Sequence, residues 1–198
     1  DSMNTIKSLF LCIALLSAGY ARAGETDITT DYDSTDALQS GAQAVVDAFA
    51  AEAAEAYGGE LTATPSVKVH NTPMLIYFMP DDNTVTVPWW DTQPAEMRAV
   101  FRRFSGGSDD DARRFFAAFF NGFLVAHEAS HWFQAQTGRE KATLYADENQ
   151  ANRLAVAFWR TQPGGEAFGF RALPGHVEAA ALHHHRVDAG IDALRQVG

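Results

Sequence analysis

The chain has 198 residues, of which 46% are hydrophobic and 20% are charged, a length and balance typical of one globular domain. Its formal net charge of −10 excludes a general affinity for nucleic acid or anionic lipid surfaces, because like charges repel.

An apolar segment near the amino terminus predicts export. A basic residue, Lys7, precedes the apolar run at 9–20, and the small residues Ala21 and Ala23 occupy the −3 and −1 sites of a signal-peptidase cut. The run is too short for an ordinary membrane span. We therefore expect a cleaved signal peptide, with an uncleaved membrane anchor as the alternative, and a secreted or periplasmic protein without a membrane span.

Cleavage after Ala23 would separate two regions. Residues 1–23 comprise a two-residue remnant ahead of Met3 and the signal peptide, and residues 24–198 form a single domain. Cys12, the only cysteine in the sequence, leaves with the signal. An exported protein without a thiol cannot use disulfides, so its core and any bound metal must stabilise it.

Apolar periodicity and turn residues predict the elements of this domain in chain order. An alanine-rich helix is expected over 36–57, ended by Gly58. Two runs rich in β-branched and aromatic residues, 61–70 and 74–90, predict two to four short antiparallel strands, with "PDDN" at 80–83 as the turn of one hairpin. The rest is predicted to form helices over 93–107, 109–137, 142–161 and 176–197.

The helix over 109–137 is the predicted centre of the domain. Ser108 can cap its start, aspartates occupy its first turn, and Gly138 ends it. Large apolar side chains surround most of its circumference, which indicates a buried helix. We therefore predict an α+β fold, mostly helical, with a small antiparallel sheet and this helix buried at its centre.

The central helix carries the sequence His-Glu-x-x-His. Four residues separate His127 from His131, so both imidazoles face one way and can bind one zinc ion. Glu128 is rotated away from that pair, but it can reach a water at the metal and act as a general base. Chance predicts roughly 0.01 such matches in a chain of this composition. The alternative, two core histidines bonded to their neighbours, is costly because buried polar groups need partners.

The helix over 142–161 supplies candidates for the third protein ligand that a catalytic zinc ion usually has. Glu148 is the preferred candidate, and its neighbour Asp147 is the alternative. Asn152 follows Glu148 by about one turn and could accept a hydrogen bond from a metal-bound imidazole, which would fix the orientation of that ring.

These residues resemble the zinc metallopeptidases called gluzincins, of which thermolysin is the familiar member. The family has His-Glu-x-x-His followed by a helical glutamate. The resemblance implies a zincin-like fold, one zinc ion bound by His127, His131 and Glu148, and Glu128 as the general base. The family usually has aspartate where this chain has Asn152, and the interval between the last two ligands is short here, as in compact bacterial members.

The resemblance also implies groups around the metal. Zincins have an edge strand that an extended substrate joins through main-chain hydrogen bonds. Residues 83–90 are the candidate for that strand, although they could instead only pack the hairpin against the helices. Tyr145 and His176 are candidates for stabilising the oxyanion. For Tyr145 the alternative is packing between helices, and most of the "HHH" run at 183–185 is expected to face solvent.

We therefore expect an exported zinc-dependent metallopeptidase that cuts a peptide or protein substrate. Two alternatives stay open at this point. One is a zinc hydrolase that acts on a non-protein amide. The other is a binding or inhibitory module that keeps the metal for stability and has no turnover.

Overall fold

A computed structural model describes residues 31–162. Within this range the protein is mostly helical and has one small sheet, which is compatible with the expected α+β class. No helix in the described range is long and apolar enough to cross a membrane. The expected signal peptide, the helix expected over 176–197, His176 and the "HHH" run lie outside the described residues.

The helices begin and end close to the predicted residues. Ser34, Ser108 and Thr143 cap three of them by accepting hydrogen bonds from main-chain N–H groups of the first turn. Gly58 and Gly138 end two of them in the left-handed conformation, with φ of 67° and 64°. The helices are α1 (Thr35–Tyr57), α2 (Ala95–Ser105), α3 (Asp109–Phe116), α4 (Leu124–Thr137) and α5 (Leu144–Thr161).

The central helix is continuous but not uniformly α-helical. A π-helical segment, Ala117–Phe123, joins α3 to α4, and all seven of its residues are buried. The wider turns of a π-helix rotate the chain less per residue, so this segment changes which face α4 presents to the core. Aromatic rings pack closely around its beginning; the Phe116 and Phe120 centroids are 4.6 Å apart, and those of Phe101 and Phe116 are 5.2 Å apart.

The sheet is mixed rather than antiparallel, which corrects the sequence prediction. Its strands are β1 (Ser66–Val69), β2 (Tyr77–Met79) and β3 (Thr84–Val87), in the order β1-β3-β2. The predicted hairpin between β2 and β3 is confirmed, with a turn at Pro80–Asp82. The pairing of β1 with β3 is parallel, because residues 70–76 carry the chain past the position that β3 later takes.

The position of β3 also corrects the expected edge strand. All four residues of β3 are buried, because β1 and β2 flank it and α4 packs against it. A central strand has no free edge, so residues 83–90 cannot provide the strand that a substrate joins. The edge strand beside α4 is β2.

Candidate metal centre

The histidines and the acidic residues meet between α4 and α5. Six residues connect these two helices, so they pack as an antiparallel hairpin. The order of contacts shows this arrangement, because His127 meets Asn152 while Gln134, further along α4, meets Asp147. His127 therefore lies beside a later residue of α5 (Asn152) than His131 does (Asp147).

Three side chains converge on one point. The Nε2 atoms of His127 and His131 are 3.1 Å apart. A Glu148 oxygen is 3.2 Å from the first of these nitrogens, and its other oxygen is 3.7 Å from the second. The described residues thus contain a group of two nitrogens and a carboxylate oxygen, all within 4.8 Å of one another, that could hold a metal ion.

These separations are close to those of a tetrahedral site. Ligand atoms about 2.0–2.1 Å from a tetrahedral zinc ion lie roughly 3.3–3.4 Å from each other. The two nitrogens are 3.1 Å apart and one Glu148 oxygen is 3.2 Å from the His127 nitrogen, while the 3.7 Å contact with the His131 nitrogen is made by the other Glu148 oxygen. Two imidazole nitrogens at such a distance repel each other unless a proton or a metal ion lies between them, so the geometry suits either one.

The other ring nitrogen of each histidine is occupied by a residue of α5. The Nδ1 of His127 lies 3.0 Å from Asn152 Oδ1, an oxygen that can only accept a hydrogen bond. The Nδ1 of His131 lies 3.5 Å from Asp147 Oδ2. Both contacts favour a proton on Nδ1, so in the neutral form of each ring the Nε2 lone pair can bind a metal.

Asp147 supports the site and lies away from the three converging atoms. Its Oδ1 accepts hydrogen bonds from Gln134 Nε2 at 2.9 Å and from the Lys141 main-chain N–H at 2.8 Å. Its Oδ2 faces the Nδ1 side of His131, whereas the metal group forms on the Nε2 side. The structure therefore favours Glu148 over Asp147 as the third ligand. The sequence did not reveal this second role for Asp147.

The carboxylates around the histidines change the pKa values of the site. Burial disfavours a charge on His131, but the hydrogen bond with Glu148 and the charges of Glu128 and Asp147 outweigh it and raise the pKa of His131 from 6.5 to about 9. Burial also opposes the charge on Glu148, yet the two imidazoles hold the pKa of Glu148 well below its usual value. The group is thus strongly attractive to a cation.

Glu128 is close enough to raise the pKa of His131 through its charge, and its side chain is bonded to the sheet. The residue is buried, with a relative exposure of 8%. Its Oε2 accepts a hydrogen bond of 2.8 Å from the main-chain N–H of Phe78 in β2. Sequence reasoning missed this contact, because every residue except proline carries the same main-chain donor.

The structure excludes one of the two expectations for Tyr145 and leaves the other untested. It lies one turn before Glu148 on α5, and it is 72% exposed. This exposure rules out packing between helices. The role in stabilising an oxyanion stays a prediction, as does that of His176, which lies outside the described residues.

Compared with known proteins, the chain matches no family model, no curated protein and no solved structure. The interpretation of the site therefore depends on its residues and their geometry.

Proposed function

We propose that the protein is a zinc-dependent metallopeptidase of the gluzincin type, with a zincin-like fold. The observation that carries the proposal is the convergence of His127 Nε2, His131 Nε2 and a Glu148 oxygen within 4.8 Å, beside the buried carboxylate of Glu128. Two imidazoles and one carboxylate are the donor set of catalytic zinc sites that keep one position open.

Each residue has a role in this proposal. A zinc ion bound here would polarise the substrate carbonyl and lower the pKa of a water molecule. Glu128 takes a proton from the attacking water and later delivers it to the nitrogen of the leaving amine. Asn152 and Asp147 keep the two imidazoles oriented, so that both Nε2 atoms face the ion.

A peptide is the proposed substrate because the edge strand β2 lies directly beside the general base. Since Glu128 already accepts the Phe78 N–H, an extended peptide would bond to the main-chain carbonyl groups of this edge, which would bring its own main chain near the site. The proposed location is outside the cytoplasm, secreted or periplasmic, on the strength of the apolar run and the small residues at 21–23.

The proposal predicts opposite behaviour for two glutamates. Glu128→Gln should retain zinc and thermal stability, while hydrolysis of a good peptide substrate falls by about a hundredfold or more, because the proton acceptor is lost. Glu148→Gln should bind zinc more weakly and unfold at a lower temperature in its presence, because a ligand is lost. Zinc titration, melting curves and peptide cleavage measured on both variants test this crossed pattern.

Asn149→Ala is the matched control, because Asn149 is an exposed neighbour of Glu148 on the same helix. It should leave zinc affinity and cleavage unchanged. If Glu128→Gln loses zinc while Glu148→Gln keeps it, the two assignments are reversed. If the wild-type protein binds zinc but cuts nothing in a broad peptide library, the metal-stabilised binding module replaces this proposal.

A further inference from the structure

The main chain of β2 presents one N–H group to the general base. β2 pairs with β3 so that Tyr77 faces Thr86, Phe78 faces Val85 and Met79 faces Thr84. In an antiparallel ladder, alternate residues direct their N–H and C=O groups to opposite sides. Because the Phe78 N–H bonds Glu128, Phe78 is the residue of β2 whose polar groups point away from β3.

The chain leading into β2 is held rigidly. Leu75 and Ile76 are 4% and 5% exposed and belong to the hydrophobic core. Leu75 adopts a left-handed φ of 65°, a conformation that is unfavourable for a leucine and persists only where the surroundings impose it. Its N–H also closes a turn to the Thr72 carbonyl at 3.0 Å. Phe78 therefore has a fixed position relative to α4.

We propose that the Phe78 main-chain amide is the positioning group for the general base, holding the Glu128 carboxylate through Oε2 so that Oε1 receives the proton of the attacking water. This inference rests on the proposed function of Glu128. It divides the site between two elements: α5 orients the metal ligands, whereas the sheet edge orients the base. A 2.8 Å hydrogen bond from an N–H group to a carboxylate is strong enough to select one orientation of a buried side chain.

Replacement by proline tests the amide selectively. Proline lacks an N–H group and is tolerated on an edge strand where that group points away from the ladder. Phe78→Pro thus removes the bond to Glu128 without removing a bond between β2 and β3. Phe78→Ala is the matched control, because it loses the same side chain and keeps the N–H.

We expect kcat of Phe78→Pro to be about ten- to hundredfold lower than kcat of Phe78→Ala, because the base is no longer aimed at the water. KM and zinc affinity should agree between the two variants within about twofold, since neither depends on the orientation of the base. Equal kcat values in the two variants would overturn the proposal. So would a loss of zinc from Phe78→Pro alone, which would show a structural role instead.

Amide hydrogen exchange provides a second measurement that needs neither a substrate nor a proline. In Glu128→Ala the Phe78 amide should exchange at least about tenfold faster than in the wild type, because its acceptor is gone. The amides of Tyr77 and Met79, which face β3, should keep their rates. An unchanged Phe78 rate in this variant overturns the proposal, even if the wild-type protein cuts peptides. A faster rate in a protein without peptidase activity would instead place the failure in the proposed function.

Discussion

The two histidines of the motif lie one turn apart on α4, yet their surroundings differ. The His127 side chain is 5% exposed, and its Nδ1 meets the neutral amide of Asn152. The His131 side chain is 19% exposed, and its Nδ1 meets the carboxylate of Asp147. The inner histidine is therefore fixed by burial and an amide, whereas the outer histidine is surrounded by negative charge. We infer that protons compete with the metal at His131, because the surrounding carboxylates raise its pKa to about 9.

The largest expected effect comes from removing either histidine. His127→Ala and His131→Ala should each lose tight zinc binding, because two remaining ligands do not make a stable site. Isothermal titration with zinc, on protein first treated with chelator, measures the loss. The control is the replacement of His70 by alanine. His70 is exposed and directly follows β1, and its replacement should leave zinc affinity unchanged. Full zinc occupancy in His131→Ala would contradict the assignment of this ligand.

The pH dependence of zinc binding sharpens the comparison. The pKa of His131 is raised to about 9 in the metal-free protein, and zinc binding must displace its proton. Zinc affinity should therefore rise about tenfold per pH unit below pH 9 and then level off. Titrations between pH 6.5 and 9.5 test this. A plateau that begins near pH 6.5 would show that Asp147 and Glu148 do not act on His131 as described.

The raised pKa of His131 also determines how the stability of the metal-free protein changes with pH. The pKa of His131 is higher in the folded metal-free protein than its ordinary value of 6.5, so the folded state holds the proton more tightly. The resulting stabilisation is fully present below pH 6.5 and is lost as the pH rises through about 9. Denaturant unfolding of metal-free protein should show this decline. In zinc-saturated protein this decline should be absent, because His131 carries no proton in the zinc-bound state or, above pH 6.5, in the unfolded state.

A smaller effect on zinc affinity is expected from single substitutions of Asp147 and Asn152, the residues that contact the Nδ1 atoms. At pH 9.5, where proton competition at His131 is small, Asp147→Asn should lower zinc affinity by about tenfold, because it removes one of the charges behind the ring. It should also lower the pKa of His131. Asn152→Asp should raise zinc affinity, because it places a charge behind His127. The two titrations form a matched pair on one helix. If Asp147→Asn leaves zinc affinity unchanged while Asn152→Asp lowers it, the surroundings assigned to the two histidines are wrong.

The helices and the shared face of the two histidines could be predicted because their signals are local. Ser108, Thr143, Gly58 and Gly138 mark helix ends through hydrogen bonds and conformations that involve only a few residues. The four-residue spacing of the histidines defines a common face in any helix. These features can therefore be recognised without knowledge of the tertiary structure.

The sheet and the support of the site depend on contacts between distant residues. The parallel pairing of β1 with β3 is set by the path of residues 70–76, which has no periodic pattern. The bond from Phe78 to Glu128 spans fifty residues and uses a main-chain donor. The choice between Asp147 and Glu148 depends on how α5 is rotated against α4, since adjacent helical residues point about 100° apart.

Anomalous X-ray scattering at the zinc edge tests the metal centre most directly. Crystals of protein purified without chelator should show one zinc peak per chain, about 2.0–2.2 Å from His127 Nε2, His131 Nε2 and a Glu148 oxygen. Asp147 should remain on the far side of His131, beside Nδ1. The absence of a peak at this site after soaking in zinc, or a peak bound by Asp147 in place of Glu148, would contradict the assignment.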